Sequence, residues 1–214
     1  MRSKRDTAAE TERVRRLQDR EAPRYDKQIA FFERFLFADG RAWVCLQARG
    51  NVLEIAAGTA RNLPYYPAEV TLTGIELSEQ MLAIGRRRAR ELGREADLRL
   101  GDAQTLDFPD DSFDTIVCTL GLCTIPDPRR AIAEARRVLR TGGSLLLLEH
   151  VRSPRLPIRL LQRLLEPLAV RFAADHLTRE PLNYLAAEGF EIDNLERSKW
   201  GIVERVRARK TPAM

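Results

Sequence analysis

Residues Val52–Asn62 read VLEIAAGTARN. An apolar run with the composition of a buried strand breaks into small residues around one glycine, Gly58. In a parallel α/β sheet, the turn after a strand's carboxyl end is where nucleotides bind. A phosphate-cradling P-loop requires a lysine in this turn, and none is present. A dinucleotide loop uses three glycines so that backbone amides can approach a pyrophosphate, which Glu54 beside the loop would repel. The segment therefore suits a ligand that carries positive charge and no phosphate.

Working outward, further strand-like runs accompany this one, giving candidates at 50–56, 70–75, 97–100, 113–119 and 144–150. Helical patterns fall between them at about 60–65, 78–93 and 128–140. Ser78 followed by Glu79 marks a helix N-terminus, and Asp127-Pro128 starts the next helix with proline at its first position. This alternation predicts a Rossmann-like α/β fold, a mostly parallel sheet with helices on both faces. After Gly189 the pattern changes, and FEIDNLERSKWGIVERVRARK reads as two strands turning near 198–201, a hairpin that ends the sheet. Residues 1–23 read as a polar N-terminal helical arm prone to fray, and 24–214 as one domain.

The 214 residues are 44% hydrophobic and 31% charged, enough for a substantial core. No apolar run reaches the ~18 residues of a membrane span, and the basic N-terminus lacks the apolar centre of a secretory signal. Cys45, Cys118 and Cys123 show neither metal-ligand nor disulfide spacing, so no metal is expected and the cytoplasm is the default compartment. The net charge of +5 is uneven: +3 in 1–20, +3 in 151–175, +5 in 197–214 and −6 elsewhere. Such segments are either solvated faces or attractors for an anionic acceptor or a membrane surface, giving a possible peripheral membrane contact. Without interleaved aromatics they do not suit nucleic acid. Oligomeric state is not encoded in any of these patterns.

Glu76 ends the second strand candidate, 22 residues after Glu54, where a carboxylate can accept both hydroxyls of a ribose. Asp102, in Gly101-Asp102-Ala103, follows the third and can accept an adenine amino group, and Asp114 stands near the start of the fourth. One acidic strand end is usually a solvated cap; four in this order point to a nucleoside cofactor. Through VLEIAAGTARNLPYYP, GIELSEQML, GDAQTLDFPDDSFDTIV and ARRVLRTGGSLLLLEHV, roughly residues 24–210 resemble the class I S-adenosylmethionine-dependent methyltransferases. NLPYYP, CTLGLCTIPDP, the EHV after the fifth strand and DHLTREPLNYLAAEGFE are similar to the branch of small thiol methyltransferases and bacterial phosphatidylethanolamine N-methyltransferases. The quinone-biosynthesis C-methyltransferases are a more distant likeness.

The resemblance implies a seven-stranded sheet with the last strand antiparallel, S-adenosyl-L-methionine as cofactor and S-adenosyl-L-homocysteine as product. It implies that Glu54 lies near the methionine amino group and that the Ala56 and Gly58 amides face the cofactor. Glu76 would take the ribose, Leu77 and Met81 would pack beside it, and Asp102 with Ala103 would hold adenine. Thr119 would face the methionine portion, and Tyr25 would either close over it or remain a half-buried helix aromatic. The family loop is an acidic residue followed by G-x-G-x-G, whereas this chain has Ala56 and Ala60 at the first and third positions. Alanine resists positive φ, so those two residues are expected in the αR or β region.

His150 and His176 are the only histidines. Each is a candidate base for a thiol or ammonium acceptor, and each equally a structural histidine; Asp175 and Glu149 stand behind them as alternatives. A lid insertion is expected at about 152–178, after strand five. Within it Leu161, Leu164, Leu165, Leu168 and Phe172 repeat at helical spacing, beside a row of Arg155, Arg159 and Arg163. This helix is expected either to pack on the domain as a lid with solvated arginines or to touch lipid with its arginines at headgroup level. The expected function is methyl transfer to a small lipophilic thiol, amine or related metabolite. The alternatives are phospholipid N-methylation at a membrane surface and a cofactor-binding protein without transfer activity.

Overall fold

The computed structural model describes residues 4–212. One sheet contains β1 (Asn51–Ile55), β2 (Thr71–Glu76), β3 (Asp97–Leu100), β4 (Phe113–Thr119), β5 (Leu139–His150), β6 (Phe190–Ser198) and β7 (Val203–Lys210). Their order is β3-β2-β1-β4-β5-β7-β6. Strands β1 to β5 pair in parallel, and β7 runs antiparallel to both β5 and β6. The hairpin expected after Gly189 is present, its second strand inserted between β5 and β6. The order reverses between β1 and β4, which places the ligand crevice at the ends of those two strands.

Alternation along β5 shows why the sheet is covered on both faces. Leu145 and Leu147 enter one core with Leu53, Ile116 and Ile132, while Leu146 and Leu148 enter the other with Val52, Leu72 and Leu82. The first core packs against α4 (Pro128–Val138), the second against α2 (Gly40–Cys45) and α3 (Glu79–Glu91). Ser78 caps α3 by accepting from the Met81 amide, and Asp127 caps α4 by accepting from the Arg130 amide.

Three expectations about elements change. The helix expected at about 60–65 is only a 3-10 turn, Leu63–Tyr65, because Pro64 and Pro67 remove donors that a longer helix needs. Strand β5 begins at Leu139 rather than 144, where buried Leu139 pairs with Phe113, so α4 ends at Val138. A single helix, α1 (Lys4–Phe32), runs through Pro23 and across the boundary drawn at residue 23. It buries Val14 and Ala22 and is tied down by polar contacts. Gln104 donates to Thr11 Oγ1 at 3.1 Å, Ser78 to Asp19 Oδ1 at 2.6 Å and Thr59 to Asp26 Oδ1 at 2.6 Å; Arg88 pairs with Asp26 as well.

The lid region contains α5 (Leu156–Ala173), followed by α6 (Pro181–Ala187). No residue of α5 is buried. The helix is held to the domain along one side only, and its leucines are exposed, as the lipid-facing alternative expected and the packed-lid alternative did not.

Candidate cofactor and acceptor site

Glu54, at the end of β1, is buried, with Oε1 accepting from Asn62 at 2.9 Å and Oε2 from the Tyr66 hydroxyl at 2.9 Å. Burial raises its pKa to about 7, against the opposing pull of Tyr66, Arg41 and Asn62. Asn62 is held in turn by Arg41, which donates at 2.8 Å to its Oδ1, at 3.0 Å to Thr119 Oγ1 and at 2.5 Å to Glu33. Thr119 also accepts from Asn62 at 3.0 Å. Sequence reading missed Arg41, Asn62 and Tyr66 as site residues; NLPYYP carried the family likeness but no role.

Glu76 ends β2, and its carboxylate accepts from the amides of Gly58 at 2.7 Å and Ser78 at 2.9 Å. The Gly58 N–H is therefore directed to Glu76. Burial raises the pKa of Glu76, and the amides of Ser78, Gly58 and Leu77 oppose that rise. The adjacent Ala57 amide donates to Ile75 O at 2.9 Å. These fixed contacts force Ala56 and Ala60 to φ values of 54° and 57°, so the expected αR or β backbone is not what the loop adopts. A Cβ at Gly58 would meet nothing within 4 Å, which leaves open space above the loop.

Each alanine in the left-handed region costs about 1–2 kcal/mol relative to an unstrained residue. Glycine there should recover part of that, offset by about 0.4–1 kcal/mol of unfolded-state entropy. Ala56→Gly is expected to stabilise by about 0.5–1 kcal/mol and to retain or strengthen cofactor binding. Ala60→Gly gains less, because the Ala60 methyl is buried and packs beside Gly85. Urea unfolding together with cofactor titration checks both, and loss of binding in Ala56→Gly would require a different loop geometry.

Beyond Glu76 lies a cavity of about 20 Å³, bordered by Ala56, Leu77, Asp102, Ala103 and, from α1, by Val14 and Gln18. That is room for about one water molecule. Asp102 Oδ1 accepts from the Gln104 amide and side chain, both at 2.9 Å. Met81 is buried at the start of α3. Tyr25 projects from α1 into the field of Arg41, Cys123, Glu33 and Glu76; its hydroxyl is raised to about 12, chiefly by burial. Asp114 is elsewhere. At the start of β4 it accepts from the Asn51 amide at 2.8 Å and pairs with Arg140 at 2.5 Å, at the opposite end of the sheet from Thr119. It does not join the acidic set read from the sequence.

The loop leaving β4 connects this cavity to a second cluster. Thr124, Ile125 and Pro126 border the cavity, while the Cys123 thiol, a ring nitrogen of His150 and the Asp175 carboxylate lie within 4.8 Å of one another. Arg179 donates to the carbonyls of Leu122 and Ile125, and Glu149 Oε1 accepts from the amides of Gly121 and Leu122, both at 2.9 Å. His150 Nε2 is 2.9 Å from Asp175 Oδ1, an ion-pair distance, although that buried oxygen has no well-angled donor. Burial depresses the His150 pKa, but the carboxylates of Asp175 and Glu149 outweigh it and hold it above the ordinary value. Burial drives Cys123 far up, which leaves it a neutral thiol. His176 faces α5, with Nδ1 3.6 Å from Glu166, and burial with Arg179 lowers its pKa.

Burial also lifts Glu149 to about 7. Glu54 and Glu149 bind protons more tightly folded than unfolded, so stability is greatest below their ordinary 4.5 and falls as pH rises toward 7. His150 acts in the same direction and His176 in the opposite one. The acids that gain arginine partners, such as Asp26 and Glu33, act below this window. The urea midpoint is therefore expected to fall between pH 5 and pH 8, less steeply in Glu54→Gln. A flat or rising midpoint would contradict the buried-carboxylate assignment.

Comparison with known proteins bears on this geometry. Residues 53–147 match the family described as methyltransferase domain. That stretch runs from β1 into β5 and carries the first five strands of the sheet. The methyltransferase domain is 39% identical over 118 residues to a phosphatidylethanolamine N-methyltransferase of Cereibacter sphaeroides, covering 54% of this chain and 58% of that protein. It is 35% identical over 135 residues to the thiol S-methyltransferase TMT1B of Rattus norvegicus, covering 61% and 55%. The chain thus spans between half and two thirds of the length of these relatives. A solved SAM-dependent methyltransferase from Thermotoga maritima superposes with a TM-score of 0.72 at 23% identity, over 92% of this chain and all of that one. The [4+2]-cyclase SpnF shares the fold as well, with a TM-score of 0.65 at 22% identity over 82% and 80% of the two chains. Fold alone therefore leaves the reaction to the site.

Proposed function

We propose that the chain transfers a methyl group from S-adenosyl-L-methionine to a small lipophilic thiol or amine by direct in-line displacement. The observation that supports this reading is that one loop, 120–126, borders the cavity at Glu76 through Thr124–Pro126 and meets the His150–Asp175 pair through Cys123. The donor set fits the cofactor: buried carboxylates for an ammonium and ribose hydroxyls, and a polar Asp102 at the adenine end. When bound, the cofactor supplies a methyl already activated on a sulfonium.

The chain's own residues do the rest. Glu54 faces the amino group, Glu76 the ribose, and Asp102 with Ala103 the base. Leu77 and Met81 flank the ribose, while Thr119 and Tyr25 border the methionine end with the Ala56–Gly58 loop beneath it. The relatives' names place the methyl on nitrogen in one case and sulfur in the other. Both atoms carry a masking proton near neutral pH. His150 is placed to take that proton, and Asp175 balances the resulting imidazolium. His176 keeps the acceptor-side loop against α5. A phospholipid amine is the second reading, favoured by the outward leucines of α5.

Calorimetry with the cofactor and with its demethylated product tests the binding half, and labelled methyl transfer to a panel of thiols and amines tests the other. A cation beside Glu54 should expel its proton, so binding near pH 7 is expected to release protons, read as a dependence of the heat on buffer ionisation enthalpy. Binding without transfer to any thiol or amine would make this a cofactor-binding protein.

A further inference from the structure

Helix α5 is amphipathic in the reverse of the usual sense. Its domain-facing seam is polar: Gln162 donates to the carbonyls of Val151 and Leu177, both at 2.9 Å, and accepts from the Ser153 amide at 2.8 Å. One turn on, Glu166 accepts from the Thr178 hydroxyl and lies 3.6 Å from His176. Its other face presents Leu156, Leu160, Leu161, Leu164, Leu165, Leu168 and Phe172, from 45% exposed at Leu165 to 74% at Leu164. A contiguous apolar face of this extent marks an interaction surface.

The charges on the segment name the partner. Its two acids are both turned inward, Glu166 to Thr178 and Asp175 to His150. Arg155, Arg159, Arg163 and Arg171 make no ion pair among the described residues. An apolar face bordered by uncompensated arginines matches the boundary between anionic headgroups and acyl chains. No helix of the described residues is long and apolar enough to cross a membrane, so the fit is to a helix lying in the surface.

We propose that α5 docks on an anionic bilayer with its leucines in the acyl boundary and its arginines among the headgroups. The seam that then faces away from lipid holds residues 176–178, next to Asp175, so only α5 stands between the bilayer and the acceptor side, a short route for a lipid-borne acceptor. Only this route for the acceptor rests on the methyl-transfer reading; the docking does not.

Flotation of the full chain with phosphatidylcholine vesicles, with and without phosphatidylglycerol, tests it. Binding is expected only where phosphatidylglycerol is present, and to weaken as salt rises. Each arginine near such a surface contributes about fivefold, so R155Q/R159Q/R163Q should bind roughly 100-fold more weakly. L161Q/L164Q/L165Q should lose vesicle binding altogether while cofactor affinity, which reports folding, stays unchanged. Failure of the wild type to float with anionic vesicles would overturn the proposal. So would a dimer that the leucine variant dissociates, since a second copy would then cover this face. Vesicle binding with no methyl transfer would instead sink the proposed function and leave the docking standing.

Discussion

Replacing His150 by alanine is expected to lower methyl transfer by about 10²–10⁴-fold while leaving cofactor affinity within a factor of two or so. The imidazole stands at the end of β5, makes no hydrogen bond to the residues assigned to the cofactor, and pairs with Asp175 at 2.9 Å. The loss should therefore appear in turnover. Asp175→Asn separates a base from a packing residue. Without the carboxylate, the His150 pKa falls, and the rising limb of the rate against pH should move to lower pH with a reduced plateau. An unchanged pH profile in Asp175→Asn, or equal loss of cofactor affinity and rate in His150→Ala, would remove the base assignment.

Glu76→Ala is expected to weaken cofactor binding at least tenfold, about 1.4 kcal/mol. Two losses combine. The ribose hydroxyls lose a charge-assisted acceptor, and the amides of Gly58 and Ser78 lose the partner that shapes the loop. Each amide left unpaired costs about 1–3 kcal/mol of stability, so urea unfolding should shift with the affinity. Glu76→Gln keeps an acceptor for only one of the two amides and turns an NH2 toward the other, so it should recover only part of the stability and little of the affinity. Normal binding by a folded Glu76→Ala protein would exclude the ribose assignment.

Local signals made the fold legible. The caps at Ser78 and Asp127 and the terminal hairpin each depend on neighbours within a few residues, and each stands where the sequence placed it. The spacing of Glu54 and Glu76 was likewise enough to put both carboxylates at the crevice, because parallel strands end at one edge. Long-range pairings were not legible. Arg41 reaches Thr119 across 78 residues, and Gln104 reaches Thr11 across 93, with nothing in either local pattern to announce a partner. Alanine's intrinsic preference misled at positions 56 and 60, where two hydrogen bonds to β2 override it. In α5, periodicity put the leucines on one face without saying which way that face points; Gln162 and Glu166 decide it through bonds to residues 151–178.

Helix α1 has a kinetic consequence. Val14 and Gln18 border the cavity at Asp102 and Ala103, the end proposed for adenosine, and that cavity holds about one water molecule, far less than a nucleoside. Most of the ties around that roof are hydrogen bonds and ion pairs that water can replace, at Thr11, Asp19 and Asp26. With the proposed cofactor in that place, loading is expected to need a unimolecular detachment of α1 before capture. In stopped-flow mixing the observed association rate should climb with cofactor concentration and level off at the rate with which α1 lets go. Asp26→Asn should raise that plateau, so that one carboxylate near the chain's beginning sets how often the site trades its contents.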